Sequence, residues 1–240
     1  MAPNNTPSPH WLDFRYDVSM SKYYDHNLWH ERKIKEISRA PFRYRMAQNF
    51  FICDALSYAN SPSAPCRLLD LGCGLGDISK EFSSLGFDVT GLELSEVAHK
   101  HSLNTPAGVS FIKGDILEAD KILSGSWEFV TAFNVLHCIV QKQDRRRFLA
   151  VVKSLLKPGG SFYACSMCGL PGAAIMEETG IDPYTRVGSN GTRLHLDSDA
   201  ILSEFSEAGF KVLEHRLFEN IVHTEQGVDL KDISLLATTI

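Results

Sequence analysis

The 240-residue sequence predicts an α/β fold in which helices cover both faces of an open, doubly wound and mostly parallel β-sheet. Two patterns carry this prediction. Short apolar runs recur along the chain and end in a polar residue, which is typical of buried parallel strands that reach one edge of a sheet. Segments with a helical spacing of apolar residues separate these runs, so that strands and helices alternate.

The first strand and the turn after it are the most informative segment. Residues 68–71 form an apolar run that contains Asp70, and a helix is expected over residues 78–85. Three glycines lie between them at every second position: Gly72, Gly74 and Gly76. Glycine leaves the backbone bare beside a helix N-terminus, where a ligand can lie against it. The spacing departs from the dinucleotide fingerprint, which needs a glycine where this chain has Asp77.

Each of the first four predicted strands has a polar residue at its end: Asp70, Glu93, Asp115 and Asn134. Ligands of open α/β sheets bind beyond the carboxyl ends of the strands, so we expect these side chains to meet at one rim. Glu93 lies 21 residues after Gly72, close to the spacing of about 20 for an acid that binds a ribose. Alternatively, Asp70 could cap the turn amides and Asp115 could close a surface loop.

These segments resemble the class I S-adenosylmethionine (SAM)-dependent methyltransferases. The resemblance rests on D-x-G-x-G-x-G at residues 70–76, three further polar strand ends and LKPGG at residues 156–160, and it covers roughly residues 66–166. It implies a Rossmann-like, seven-stranded sheet whose last strand inserts antiparallel at one edge. It also implies SAM as the cofactor, bound by nine residues: Asp70, Gly72, Cys73, Gly74, Glu93, Leu94, Asp115, Ile116 and Asn134.

The resemblance further implies methyl transfer by in-line displacement, without a covalent intermediate or a metal. Catalysis would come mainly from alignment of the reactants and exclusion of water. His137 is the candidate catalytic residue because it is titratable and directly follows the fourth strand, where methyl donor and acceptor should meet. It could accept a proton from an alcohol or phenol. The alternative is that His137 packs against the following segment.

The sequence after the fourth strand limits the class of molecule that is expected to accept the methyl group. DNA amino-methyltransferases of this fold carry (Asn/Asp/Ser)-Pro-Pro-(Tyr/Phe) there, whereas this chain has Asn-Val-Leu-His at residues 134–137. A Leu-His pair is frequent in small-molecule methyltransferases of the family. We therefore expect a small-molecule acceptor with an O, N or S nucleophile, and no DNA. A protein or RNA substrate is the alternative, and a non-catalytic nucleotide-binding or scaffolding protein is a third hypothesis.

The chain is expected to divide into three parts. Residues 1–15 have the composition of a flexible tail, and residues 16–60 form a helical cap rich in aromatic side chains. Residues 61–240 form the SAM-binding core. Within the core, residues 167–196 are rich in glycine and proline and are expected to form a lid. A helix over residues 197–207 and two strands complete the core.

Composition indicates a cytoplasmic protein without a membrane span. The net charge of −5 argues against a partner that presents nucleic acid phosphates. The basic residues between Lys142 and Arg147 are expected to be a solvated helix face. No run of 18 apolar residues or secretory signal is found, and the six cysteines are expected to be free thiols in a reducing compartment. The oligomeric state is left open.

Overall fold

The computed structural model describes residues 27, 66–104, 108–168, 185–188, 191–194, 196–219 and 231–240. The predicted tail lies outside the described residues, and so does the predicted cap apart from Asn27. The predicted lid is described only in part.

In the part of the chain that is described, nine strands and five helices follow one another. The strands are β1 (Arg67–Leu71), β2 (Asp88–Glu93), β3 (Val109–Lys113), β4 (Trp127–Phe133), β5 (Leu156–Cys168), β6 (Thr185–Gly188), β7 (Gly191–Leu194), β8 (Phe210–Glu219) and β9 (Lys231–Thr239). The helices are α1 (Asp77–Ser84), α2 (Glu96–Leu103), α3 (Ala119–Ile122), α4 (Lys142–Leu155) and α5 (Ser198–Glu207). Two short 3₁₀ turns lie at Ile116–Glu118 and Leu136–Cys138.

Seven strands form one sheet in the order β3-β2-β1-β4-β5-β9-β8. The strands β1 to β5 are parallel, and β9 runs antiparallel between β5 and β8. The predicted Rossmann-like, seven-stranded sheet with one inserted antiparallel strand is therefore confirmed. The strand order reverses at β1, between β2 and β4, which is where ligands bind in folds of this kind.

The two faces of the sheet carry separate apolar clusters because successive strand residues point to opposite sides. Leu69 and Phe162 belong to the larger cluster, which also contains residues of α4 and α5. Leu68 and Tyr163 belong to the smaller cluster, together with Phe82 of α1. The predicted alternation of strands and helices thus produces a sheet that is buried on both faces in its central strands.

Capping side chains determine where two of the helices begin. Ser95 accepts a hydrogen bond from the Ala98 N–H at the start of α2 (3.1 Å), and Asp197 accepts one from the Ala200 N–H at the start of α5 (2.8 Å). Both bonds satisfy backbone donors that the first helical turn leaves unpaired. Serine and aspartate are among the residue types preferred at this position.

A buried ion pair joins α4 to α5. It shows that the basic run between Lys142 and Arg147 is not, as expected, a solvated helix face throughout. Nε and Nη2 of Arg145 each lie 2.7 Å from a Glu204 carboxylate oxygen, and Nη1 donates to the carbonyls of Ile139 and Val140. Arg145 is only 2% exposed, so this part of the basic run is not a solvated face. Its neighbour Arg146 is solvated and pairs with Glu207 at the surface.

We predict that Arg145→Met destabilises the protein by about 3 kcal/mol, because it leaves the largely buried carboxylate of Glu204 without its cation. Arg145→Met combined with Glu204→Leu should recover most of this loss, since the apolar pair leaves no uncompensated charge. Urea unfolding measures the free energy of each variant. Arg146→Met is the matched control and should have little effect. A double variant as unstable as the single one would contradict the prediction.

Candidate functional site

The carboxyl ends of the central strands bring the predicted site residues to one edge of the sheet. In the parallel register, Asp70 of β1 lies beside Thr131 of β4, and Glu93 of β2 lies beside Lys113 of β3. Asp115 and Asn134 follow β3 and β4 directly. The four strand ends therefore share one rim, as the sequence predicts.

Asp70 is buried at the centre of this rim and joins three elements. Its carboxylate accepts hydrogen bonds from Ser79 Oγ of α1 (2.6 Å) and from Thr131 Oγ1 of β4 (2.9 Å). The pKa of Asp70 is raised from its ordinary 3.8 to about 6. Burial is the largest cause, the two hydroxyl bonds act in the opposite direction, and the nearby Glu93 adds to the rise. An acid kept where its charge is costly is typical of a functional site.

Glu93 supports the glycine turn, a role that the sequence did not reveal. One carboxylate oxygen accepts from the Gly74 N–H (2.8 Å), and the other accepts from the Ser95 N–H (2.7 Å). Each oxygen keeps a second lone pair, so these bonds leave the carboxylate able to accept ligand hydroxyls. Glu93 therefore fixes the turn after β1 relative to the start of α2.

Asn27, the one residue of the predicted cap that the structure describes, contacts the N-terminus of α2 beside Glu93. Asn27 Oδ1 accepts hydrogen bonds from Ser95 Oγ (2.9 Å) and from the Val97 N–H (3.3 Å). Both donors lie at the N-terminus of α2, two to four residues beyond Glu93. A segment far away in sequence thus contacts the rim.

The three glycines of the turn serve different needs. All three have positive φ, between 57° and 79°, which other residues rarely adopt. A Cβ on Gly72 would lie 2.7 Å from Val135 Cγ2, and one on Gly76 would lie 2.5 Å from the Phe111 ring. The protein itself therefore requires Gly72 and Gly76. Gly74 stands between them, and its amide is bound to Glu93.

Cys73 lies within the turn as a protonated thiol. Burial, reinforced by the charges of Asp70 and Glu93, raises its pKa well above the ordinary value of 9.0. The thiolate is the reactive form of cysteine, so this environment does not favour nucleophilic chemistry at Cys73. The residue is suited to van der Waals contact with a ligand.

Three of the predicted cofactor-binding residues follow β2 and β3. Asp115 Oδ1 accepts from the Leu117 N–H (2.9 Å) and caps the 3₁₀ turn at Ile116–Glu118. Ile116 is buried in the larger core cluster, and Leu94 packs against that cluster while remaining partly accessible. The turn thus holds Asp115 at the rim by a local hydrogen bond and by the burial of Ile116.

Asn134 has a conformation that the sequence could not show. Its φ is +59°, and it is the one non-glycine residue with positive φ in the described part of the chain. Its N–H donates to the Cys165 carbonyl (2.7 Å), which holds the end of β4 against β5. Strained backbone of this kind persists where the surroundings enforce it, and it clusters at ligand sites.

His137 lies on the Leu136–Cys138 turn, and its ring is buried against the end of β5. Nδ1 lies 3.2 Å from Ser166 Oγ and 3.4 Å from the Met167 N, whose hydrogen points at it. A backbone N–H directed at Nδ1 requires a lone pair there, which favours the neutral tautomer with the proton on Nε2. Strand β7, within the predicted lid, lies beside this turn.

Comparisons with known proteins agree with this geometry. Residues 68–160 match a family model described as a methyltransferase domain. A ubiquinone biosynthesis O-methyltransferase from Xanthomonas axonopodis pv. citri is 28% identical over 148 residues, which are 59% of this chain and 61% of that protein. The chain therefore spans about three-fifths of the length of this curated relative.

Solved structures share the fold. Magnesium protoporphyrin IX methyltransferase from Synechocystis PCC 6803, with bound S-adenosylhomocysteine (SAH), has a TM-score of 0.62 at 14% identity and covers 89% of this chain and 96% of its own. The 4+2 cyclase SpnF has a TM-score of 0.60 at 16% identity, over 84% and 83%. The predicted resemblance to the class I SAM-dependent methyltransferases is confirmed. Fold likeness at these identities does not decide the chemistry.

None of the helices among the described residues has both the length and the apolar character needed to cross a membrane.

We predict that Asp70→Asn raises the stability of the protein above pH 7. The pKa of Asp70 is higher in the fold than its ordinary 3.8, so the native state binds this proton more tightly than the unfolded chain. The tighter binding of this proton adds to the free energy of unfolding below about pH 4. This stabilisation is lost as the pH rises through about 6, and the loss is up to about 3 kcal/mol. Urea unfolding between pH 4 and pH 8 measures it.

The exposed Asp88, in the strand next to β1, provides the control. Asp88→Asn should leave the pH dependence of stability close to that of the wild type. Suppose instead that Asp70→Asn destabilised the protein by the same amount at pH 8 and at pH 4. The carboxylate would then be a structural requirement rather than a buried charge kept at a cost.

Proposed function

We propose that this chain, which carries a methyltransferase domain, transfers a methyl group from SAM to a hydroxyl oxygen of a small molecule. The observation that carries the proposal is the pair of carboxylates, Asp70 and Glu93, on either side of the glycine turn at residues 72–76. Bare backbone beside two acids suits an adenosine ligand that is also cationic. The pyrophosphate of a dinucleotide would lie against this turn, where the nearby charge of Asp70 disfavours it.

The described residues fit the cofactor. When bound, SAM would supply a methyl group on a sulfonium, which an oxygen can displace in line. Glu93 would accept the ribose hydroxyls with the lone pairs that Gly74 and Ser95 leave unused. Asp115 and Ile116 would hold the adenine at the end of β3, and Leu94 would pack beside it. Gly72, Cys73 and Asn134 would line the part of the rim between β1 and β4.

The acceptor assignment is supported by the names of the curated relatives, which are ubiquinone biosynthesis O-methyltransferases. An oxygen nucleophile must lose a proton, and the surroundings of His137 bear on that step. With the proton on Nε2, the ring donates a hydrogen bond rather than accepting one. We therefore propose that His137 donates a hydrogen bond that orients the acceptor, and that it does not act as the general base that the sequence suggested. The hydroxyl proton would then leave to solvent, as it can from a phenol, whose pKa is about 10.

Two measurements test the function. Calorimetric titration should show binding of SAM and SAH and none of NAD, because the third glycine of the turn stands at position 76 and Asp77 replaces the glycine of the dinucleotide fingerprint. Phenols, catechols, amines and thiols should then be screened as acceptors. The protein should form SAH from SAM when the acceptor is a hydroxyl compound. Tight NAD binding would contradict the cofactor, and SAH release with amines alone would contradict the oxygen acceptor.

We predict that Glu93→Ala weakens SAM binding by roughly one to three orders of magnitude, because each hydrogen bond to a charged group contributes about 1.5–3 kcal/mol. The loss includes the support of the Gly74 amide. The exposed Glu81 of α1 provides a control, since Glu81→Ala should bind SAM like the wild type. Calorimetry on variants with unchanged circular dichroism measures the effect, and a change below about twofold would remove Glu93 from the site.

We predict that His137→Gln keeps kcat within about tenfold of the wild type, because the glutamine amide can replace the Nε2–H donor. His137→Ala should lose more, since nothing replaces the bond. The pH profile of kcat should keep its acidic limb in His137→Gln. A general base contributes about 10²–10⁴-fold, so a glutamine variant as slow as the alanine one, without the acidic limb, would restore His137 as the base.

A further inference from the structure

The outer strand of the sheet, β8, is exposed along its second half. Residues 213–217 are all exposed, on both faces of the strand. Leu213 and Leu217 are 50% and 45% exposed, and they are two of the five large hydrophobic residues that are exposed within the described ranges. A long edge strand with apolar side chains is a template for pairing with another strand. The surface formed by residues 213–217 is called the edge segment below.

The edge segment is complementary to itself. Its sequence is Leu-Glu-His-Arg-Leu, so reversing its direction exchanges Glu214 with Arg216 and Leu213 with Leu217. If two copies pair antiparallel with His215 at the centre, each Glu214 faces Arg216 of the second copy. Each Leu213 then ends the contact beside Leu217 of the second copy. Opposite charges at directly opposed positions stabilise a sheet.

The side-chain directions are consistent with this register. Glu214 and Arg216 lie opposite Leu236 and Ser234 of β9, so they project from one face, and the Arg216 Nη2 lies 2.8 Å from Glu214 Oε1. His215 and Leu217 lie opposite Leu235 and Ile233 of β9, so they project from the other face. Leu213 is the extra residue of a bulge, so alternation along the strand does not fix its face. The two Glu214–Arg216 pairs join residues on one face of the extended sheet, and these pairs set the register.

A bulge limits how far a second strand can follow β8. The pairing with β9 shifts register between Val212 and Glu214, where Leu213 is the extra residue. A bulge increases the local twist, so regular pairing cannot continue beyond Leu213. By symmetry the other copy ends the contact at the same place. The bulge thus confines pairing to the stretch in which the charges are complementary.

We propose that two copies of this chain pair antiparallel through residues 213–217 of β8, which continues the sheet of one copy into the other. The contact is short compared with the interfaces of permanent dimers, so the dimer is weak and reversible. The proposal depends on the edge of the sheet alone and does not depend on the proposed activity.

Charge reversal tests the register without disturbing the fold, because both charged side chains are exposed. Sedimentation velocity of the wild type should show a concentration-dependent dimer up to about 0.5 mM. Glu214→Arg alone and Arg216→Glu alone should each weaken the dimer by at least about tenfold, because each places like charges opposite one another twice. The double variant Glu214→Arg/Arg216→Glu should dimerise like the wild type.

An equimolar mixture of the two single variants provides the decisive arm. One variant carries two arginines and the other two glutamates, so a mixed dimer pairs every charge with its opposite, while each variant alone does not. Glu81→Arg on α1 is the control for a change in net charge. A monomeric wild type, single variants that dimerise normally, or a mixture that stays monomeric would each overturn the proposal.

Discussion

The rest of the site depends on an acid buried where its charge is costly. Asp70 holds together β1, α1 and β4 through Ser79 and Thr131, and it lies where the strand order reverses, directly before the glycine turn. Burial is the main reason that its pKa is raised to about 6, so at neutral pH the folded protein carries this carboxylate at a cost in stability relative to the unfolded chain. A cationic ligand would relieve this cost, which connects an unfavourable feature of the fold to the proposed binding of SAM.

Another buried ionic group among the described residues is arranged in the opposite way. Arg145 meets Glu204 in a two-point ion pair and uses its remaining donors on the carbonyls of residues 139 and 140. Its charge is fully compensated, and it fixes α4 and α5 against the segment that follows the His137 turn. The contrast separates a structural charge, which is paired, from a candidate functional charge, which is held by neutral hydroxyls and lies near a second acid.

The fold narrows the chemistry without deciding it, since both a methyltransferase and a cyclase share it. The residues at the rim are therefore the basis of the proposed function. Glu93 shows how one side chain can serve both purposes, because it shapes the turn through the amides of Gly74 and Ser95 and keeps lone pairs for a ligand. His137 shows the reverse, because its contacts with the end of β5 restrict which ring nitrogen can carry the proton.

The sequence by itself determined the sheet and the rim, because these follow from short-range patterns. Apolar runs that end at Asp70 and Glu93 indicate parallel strands, and Ser95 and Asp197 cap helices through bonds within three residues. The tertiary structure alone decided what distant neighbours impose. The Phe111 ring is what requires Gly76 to lack a side chain, Glu204 lies 59 residues from Arg145, and the amide that restricts His137 belongs to Met167. Such contacts depend on which elements the fold brings together, and no local pattern of residue types encodes them.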